Sequence, residues 1–168
     1  MEAFAYSNSP YPIRADLQSA HRFTWRKLAE PGTWLTGAQR VAVASELRTA
    51  QSCDLCAERK RALSPFAVDG THTSSTDLDA KVVDVVHRLT TDAARLTRTW
   101  LEQTLDEDFT AGHYVEVLSV VVCVLSIDGL HRALGFELEP LPQPFEGQPT
   151  RHTPGNLEHD TAWVPLIS

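Results

Sequence analysis

The segment TAGHYVEVLSVVVCVLSIDGLHRALG, Thr110 to Gly135, constrains the fold of this chain more than any other stretch. Its valines favour strand, but an unbroken strand of that length lies far outside the usual range of about three to ten residues. A long helix satisfies every backbone group instead, with Thr110 as N-cap and Gly135 as C-terminal stop. Apolar residues surround its middle, so it is expected at the centre of a bundle. The apolar run from Val115 to Leu130 is interrupted by Glu116, Ser119, Ser126 and Asp128. It reads as too short and too polar for a bilayer span.

Helical patterns surround this segment. Thr36 followed three residues later by Gln39 has the form of a capping box, and Val41, Ala44 and Leu47 recur at helical spacing. Together they predict a helix from about Gly37 to Ala50. In DLDAKVVDVVHRLTTD, Leu78, Val82, Val85, Val86 and Leu89 form one stripe with His87 and Arg88 beside it. A further amphipathic helix runs through Leu96, Trp100, Leu101 and Leu105. Ahead of these lies a leader, 1–33, with a short helix in HRFTWRKLAE; Phe23, Trp25 and Trp34 are expected to pack this part of the chain on the core. Behind them, 136–168 holds six of the ten prolines. This part is expected to be an extended tail that wraps over the domain or a neighbouring subunit, anchored by Trp163 and Val164, with disorder as the alternative. The expected fold class is all-α: a helical bundle over 34–135 with an extended proline-rich C-terminal tail.

The net charge of -7 is spread along the chain, with no basic patch or stripe, which argues against a nucleic-acid partner. The first residues show neither a positive n-region nor an apolar h-region, so a cytoplasmic protein without a membrane partner is expected. Glycine-rich phosphate loops, G-x-S-x-G and H-E-x-x-H are all missing from the sequence, which leaves the commonest enzyme classes without support.

Chemistry concentrates in QSCDLCAERK, where Cys53 and Cys56 open a helix-favouring run that Ser64-Pro65 stops. Zinc binding, dithiol redox work and plain burial all use this spacing. A structural zinc site needs four ligands, and the sequence has no second C-x-x-C or H-x-x-x-H pair. Cys53 and Cys56 have His72 and His87 as possible co-ligands, but at a spacing unlike the familiar zinc modules, and no metal is assigned. Redox work has a mechanism: a thiol at a helix N-terminus feels unpaired backbone N-H groups, and Arg59 and Lys60 can return toward the sulfur. Glu46, two helical turns before Cys53, and His87 are candidate proton carriers. His131 with Asp128, three apart on the last helix, is a further candidate hydrogen-bonded pair. Cys123 stands alone.

The block RVAVASELRTAQSCDLCAERKRALSPFAVDG, a helix followed by C-x-x-C at the head of a second helix, resembles the alkylhydroperoxidase D-like and carboxymuconolactone decarboxylase superfamily. The resemblance covers roughly Trp34 to Gly135. It implies an all-α homo-oligomer that reduces hydroperoxides, with Cys56 peroxidatic, Cys53 resolving, a thiol reductant protein as partner and no bound organic cofactor. It also implies a relay of one glutamate and two histidines, and this sequence carries Val41, Leu55 and Lys60 at those positions. The catalytic candidates are therefore Cys53, Cys56, Lys60, Glu46 and His87. Lactone decarboxylation, or non-catalytic binding of an apolar molecule or partner protein, are the alternatives.

Overall fold

In the computed structural model, described over residues 3–7, 9–158 and 161–167, the Gln39 N-H donates to the Thr36 hydroxyl at 3.2 Å. The Gln39 side chain accepts from the Thr36 N-H at 2.9 Å, which completes the capping box. This pair starts α2 (Gly37–Ala50), within the predicted bounds. Among the described residues there are five further α-helices, α1 (Ala15–Ala29), α3 (Asp54–Arg61), α4 (Ala80–Thr91), α5 (Arg98–Thr104) and α6 (Ala111–Ala133), and two short 3-10 turns, Pro65–Ala67 and Ala93–Arg95. The long valine-rich segment is a helix, as its length requires. Its first turn is closed by Thr110 and His113, and its last by Gly135, whose φ of +72° lets Phe136 N-H reach the His131 carbonyl at 2.8 Å.

The core forms where α2 lies against α1, α4 and α6. Val43, Ala44 and Leu47 of α2 meet Val85 and Val86 of α4 and Val117, Val121 and Val124 of α6, all of them buried. The charged interruptions of α6 are paired inside this bundle, Glu116 with Arg40 at 2.7 Å and Asp128 with Arg48 at 2.8 Å, while Ser119 and Ser126 lie on its exposed face. Such pairs keep buried carboxylates from standing uncompensated.

Several expectations are corrected. The helix α6 is not buried all round, because Val115 and Val122 are 41% and 53% exposed while the opposite face holds the core. At 23 residues it is long and apolar enough, by length and composition alone, to cross a membrane, so the shorter run underestimated it. The leader helix is longer than expected, and Trp25 packs into the main core while Phe23 points outward; Phe4 supplies the second buried ring. The helix carrying the cysteines ends at Arg61, ahead of Ser64-Pro65, where Arg95 Nη1 and Nη2 bind the Ala62 and Arg59 carbonyls.

The C-terminal part is not an extended tail throughout. Residues after α6 do run extended, and they are stitched back onto the end of α1 and the turn after it through Trp25 Nε1 to Pro140 O, Phe145 N to Ala29 O and Arg151 N to Thr33 O, all 2.8 to 2.9 Å. The chain then closes in a small antiparallel hairpin, β1 (Leu157–Glu158) with β2 (Leu166–Ile167), in which Leu157 pairs with Ile167. Trp163 is 45% exposed and is no anchor, whereas Val164 packs against the main core.

Candidate functional site

Cys53 is the N-cap of α3 and Cys56 sits in its first turn, so the first helical residues turn both thiols toward α4 and the loop before it. Both are buried, and neither forms a disulfide. From the middle of α4, His87 brings Nδ1 to 3.2 Å from Cys56 Sγ. From the loop before α4, His72 brings Nδ1 to 3.5 Å from Cys53 Sγ and 3.6 Å from Cys56 Sγ. The two imidazole rings lie 4.1 Å apart between centroids.

Each imidazole is held from behind by a carboxylate. His87 Nε2 donates to Glu46 Oε1 at 2.8 Å, and the other Glu46 oxygen accepts from Ser74 Oγ, Ser75 N and Thr76 Oγ1. His72 Nε2 donates to Asp84 Oδ1 at 2.9 Å, with Arg59 and Arg88 completing the bonds of that carboxylate. With Nε2 committed to a carboxylate, each ring turns the lone pair of Nδ1 toward sulfur unless a proton is added there.

The electrostatics divide the two histidines. Burial works against charge on His72, yet Asp84 and the two sulfurs outweigh it and raise its pKa to about 10. At His87 burial prevails over the help of Glu46 and holds the pKa below the ordinary histidine value. Burial pushes the Cys53 thiol up, but the Cys56 backbone N-H and then His72 favour the thiolate more strongly and bring it down to about 7. Glu46 and Asp84 follow the same pattern: burial opposes ionisation, and their donors overcome it and hold both below the usual carboxylate range. The resulting cluster has one cationic imidazole, one neutral imidazole and a thiol that ionises near neutrality. Beside it a narrow cavity, with room for about one water molecule, is lined by Cys56, Arg59, Arg88 and Arg95.

Of the residues singled out from the sequence, Cys53, Cys56, Glu46 and His87 converge here. Lys60 lies on the exposed side of α3, and Arg59, its neighbour, is the helix cation buried against His72 and Asp84. Val41 packs against the main core and Leu55 beside the cysteines, both as apolar side chains. The Asp128–His131 pair is not formed: Asp128 binds Arg48, and His131 binds Tyr6 and the Glu137 carbonyl. Unequal spacing along the chain does not prevent His72 and His87 from meeting the cysteines. Asp84 was missed, although its placement three residues before His87 and four before Arg88 put it on a neighbouring part of the helix surface.

Compared with family models, with curated proteins and with solved structures, the chain matches none of them. The helical bundle and its buried cluster of Cys53, Cys56, His72 and His87 are consistent with the broader group of alkylhydroperoxidase D-like and carboxymuconolactone decarboxylase helical proteins.

Proposed function

We propose that this protein is a thiol-dependent oxidoreductase that reduces hydroperoxides through Cys56 and Cys53. The observation that carries the reading is the line Glu46, His87, Cys56, with contacts of 2.8 and 3.2 Å. A neutral imidazole beside a thiol is a competent general base, and a carboxylate on its far nitrogen fixes the tautomer and stabilises the imidazolium that forms.

In the proposed cycle His87 Nδ1 takes the Cys56 proton, and the thiolate attacks one peroxide oxygen. The S-O bond forms, the O-O bond breaks, and the departing alkoxide takes the proton back from His87 to leave as an alcohol. The Cys53 thiolate then attacks the sulfenic sulfur, the S-S bond forms as the S-O bond breaks, and the His72 imidazolium gives the leaving hydroxide its proton, so that water departs and a Cys53–Cys56 disulfide remains. A dithiol or a thiol reductant protein supplies two electrons and two protons to restore the pair. His72, cationic and 3.5 Å from Cys53, favours the resolving thiolate.

A cytoplasmic location, where thiols are kept reduced, belongs to the same proposal. So does a homo-oligomer, for which the exposed valines of α6 supply apolar surface. A second reading, non-catalytic binding of a small apolar molecule, is favoured by a broad groove of about 880 Å³ lined by Trp34, Val115, Leu157, Val164 and Ile167. That groove has no cysteine in its lining.

The test is the intact mass of reduced protein before and after one equivalent of hydroperoxide, with peptide mapping. Loss of two hydrogens localised to Cys53–Cys56, reversed by a dithiol and absent in Cys56→Ser, is expected. Thiols that stay free after peroxide would overturn the catalytic reading.

A further inference from the structure

We infer that Cys53, Cys56, His72 and His87 of the reduced protein form a tetrahedral site for a zinc ion. The four donor atoms, two Sγ and two Nδ1, lie within 4.8 Å of one another, although they come from the N-terminus of one helix, a loop and the middle of another helix. In a tetrahedral zinc site with Zn-S of about 2.3 Å and Zn-N of about 2.0 to 2.1 Å, each sulfur lies about 3.5 Å from each nitrogen. Three of the four sulfur-nitrogen distances here are 3.5, 3.6 and 3.2 Å, and every donor pair lies within 4.8 Å. Plain hydrogen bonding explains one such contact at a time. It does not require two thiols and two imidazoles to turn four donor atoms toward one point.

The surroundings match what a metal-ligating imidazole needs. Both rings present Nδ1 inward and bind a carboxylate through Nε2, Glu46 for His87 and Asp84 for His72. This outer arrangement fixes the tautomer that leaves a nitrogen lone pair for a cation. Two thiolates with two imidazoles are a soft to borderline donor set, suited to zinc rather than to magnesium or calcium. Charge also balances. Zinc displaces two protons, one from the Cys56 thiol and one from Nδ1 of the His72 imidazolium that faces the Cys53 thiolate, and the buried cluster keeps the same net charge with and without the metal. All four protein positions are filled by this chain, which makes the site closed and its function structural or protective rather than that of a metal with an open position.

The metal site stands on donor geometry and does not depend on turnover of the thiols. Where the redox cycle proposed above also operates, zinc and peroxide compete for the same sulfurs. Oxidation then releases the ion: Zn(SR)₂ + ROOH + 2 H⁺ gives Zn²⁺ + the disulfide + ROH + H₂O, with the hydroperoxide as two-electron oxidant.

The experiment is anaerobic titration of the reduced full chain with Co²⁺ and then Zn²⁺, followed by optical spectra and native mass spectrometry. One cobalt per chain is expected, with thiolate charge-transfer absorption and the intense visible bands of tetrahedral cobalt, displaced by one equivalent of zinc. Cys123→Ser should retain that stoichiometry, and His72→Gln should lose it. Because a variant can fail to fold, the wild type supplies a second readout: zinc should slow alkylation of Cys53 and Cys56 at least tenfold while Cys123 still reacts. Absence of stoichiometric metal, or unchanged binding in a folded His72→Gln variant, overturns the site. A protein that binds no metal yet forms the disulfide with peroxide removes this inference alone. One that binds zinc but is never oxidised when metal-free removes the catalytic proposal alone.

Discussion

Glu46 and His87 meet at 2.8 Å with both side chains fully excluded from solvent. Removing the carboxylate strands the His87 Nε2-H inside the bundle and releases Ser74, Ser75 and Thr76 of the partly exposed loop before α4. Glu46→Ala should therefore cost about 1 to 3 kcal/mol of unfolding free energy, read from denaturant curves. Glu46→Gln keeps most of the hydrogen bonds and should cost less, while slowing peroxide oxidation of Cys56 by about 10- to 100-fold. Oxidation at the wild-type rate in a folded Glu46→Gln protein would show that the carboxylate only fills space.

Acid-base linkage gives opposite signs for the two partners 3.5 Å apart, Cys53 and His72. The Cys53 thiol is drawn down from 9.0 to about 7, so its contribution to stability is fully present above pH 9 and is lost as pH falls through about 7. His72 is raised from 6.5 to about 10, so its contribution is fully present below pH 6.5 and is lost as pH rises through about 10. The stability gap between wild type and Cys53→Ser should widen from pH 7 to 9, and the gap between wild type and His72→Gln should narrow from pH 6.5 to 10. Thiolate ultraviolet absorbance should place half-ionisation of Cys53 near 7. A midpoint at the ordinary cysteine value would contradict the thiolate and imidazolium arrangement.

What could be read from the sequence was local. The Thr36 and Gln39 box, the Thr110 cap and the Gly135 stop each act within one turn of their own helix, so chain order carries them. The cysteine pair at the head of α3 was legible for the same reason. His72 could be named only as a possible co-ligand, because it sits in an aperiodic loop and its place is fixed only where that loop crosses in front of α3 and α4. Nor did local pattern tell Arg59 from Lys60: adjacent residues of one charge point to opposite sides of a helix edge, and only packing decides which is buried. The hairpin at the end went unforeseen since two-residue strands carry too little alternation to register.

Arg59 and Lys60 thus make a matched pair of substitutions. Arg59 donates to the Val68 carbonyl and to Asp84, and it is buried; Lys60 is exposed. Arg59→Gln should lower stability by about 2 kcal/mol and raise the midpoint of Cys53 ionisation. Lys60→Ala should stay within about 0.5 kcal/mol of wild type and shift that midpoint less. A larger shift for Lys60→Ala would return the lysine to the site.

Gly135, at φ +72°, has nothing within 4 Å of the position a Cβ would take. Gly135→Ala should thus register the cost of the left-handed backbone alone, about 1 kcal/mol, or a fall in Tm of about 2 to 4 °C. No change in Tm would mean that the end of α6 settles into another conformation at no cost.

The strap that runs from the end of α6 back to α1 also sets an order of events along the folding path. Its bond from Trp25 to Pro140 joins residues 115 apart, whereas the longest link within the sulfur cluster, Glu46 to His87, spans 41. Closing the longer loop costs more chain entropy before any contact repays it. A refolding chain can therefore bring its two thiols and two imidazoles together while the strap is still undocked, and the amides of Phe145, Thr150 and Arg151 should gain protection from hydrogen exchange last. During that interval the reactive sulfurs exist in a partly open protein, and the final docking of the strap is the step that closes it.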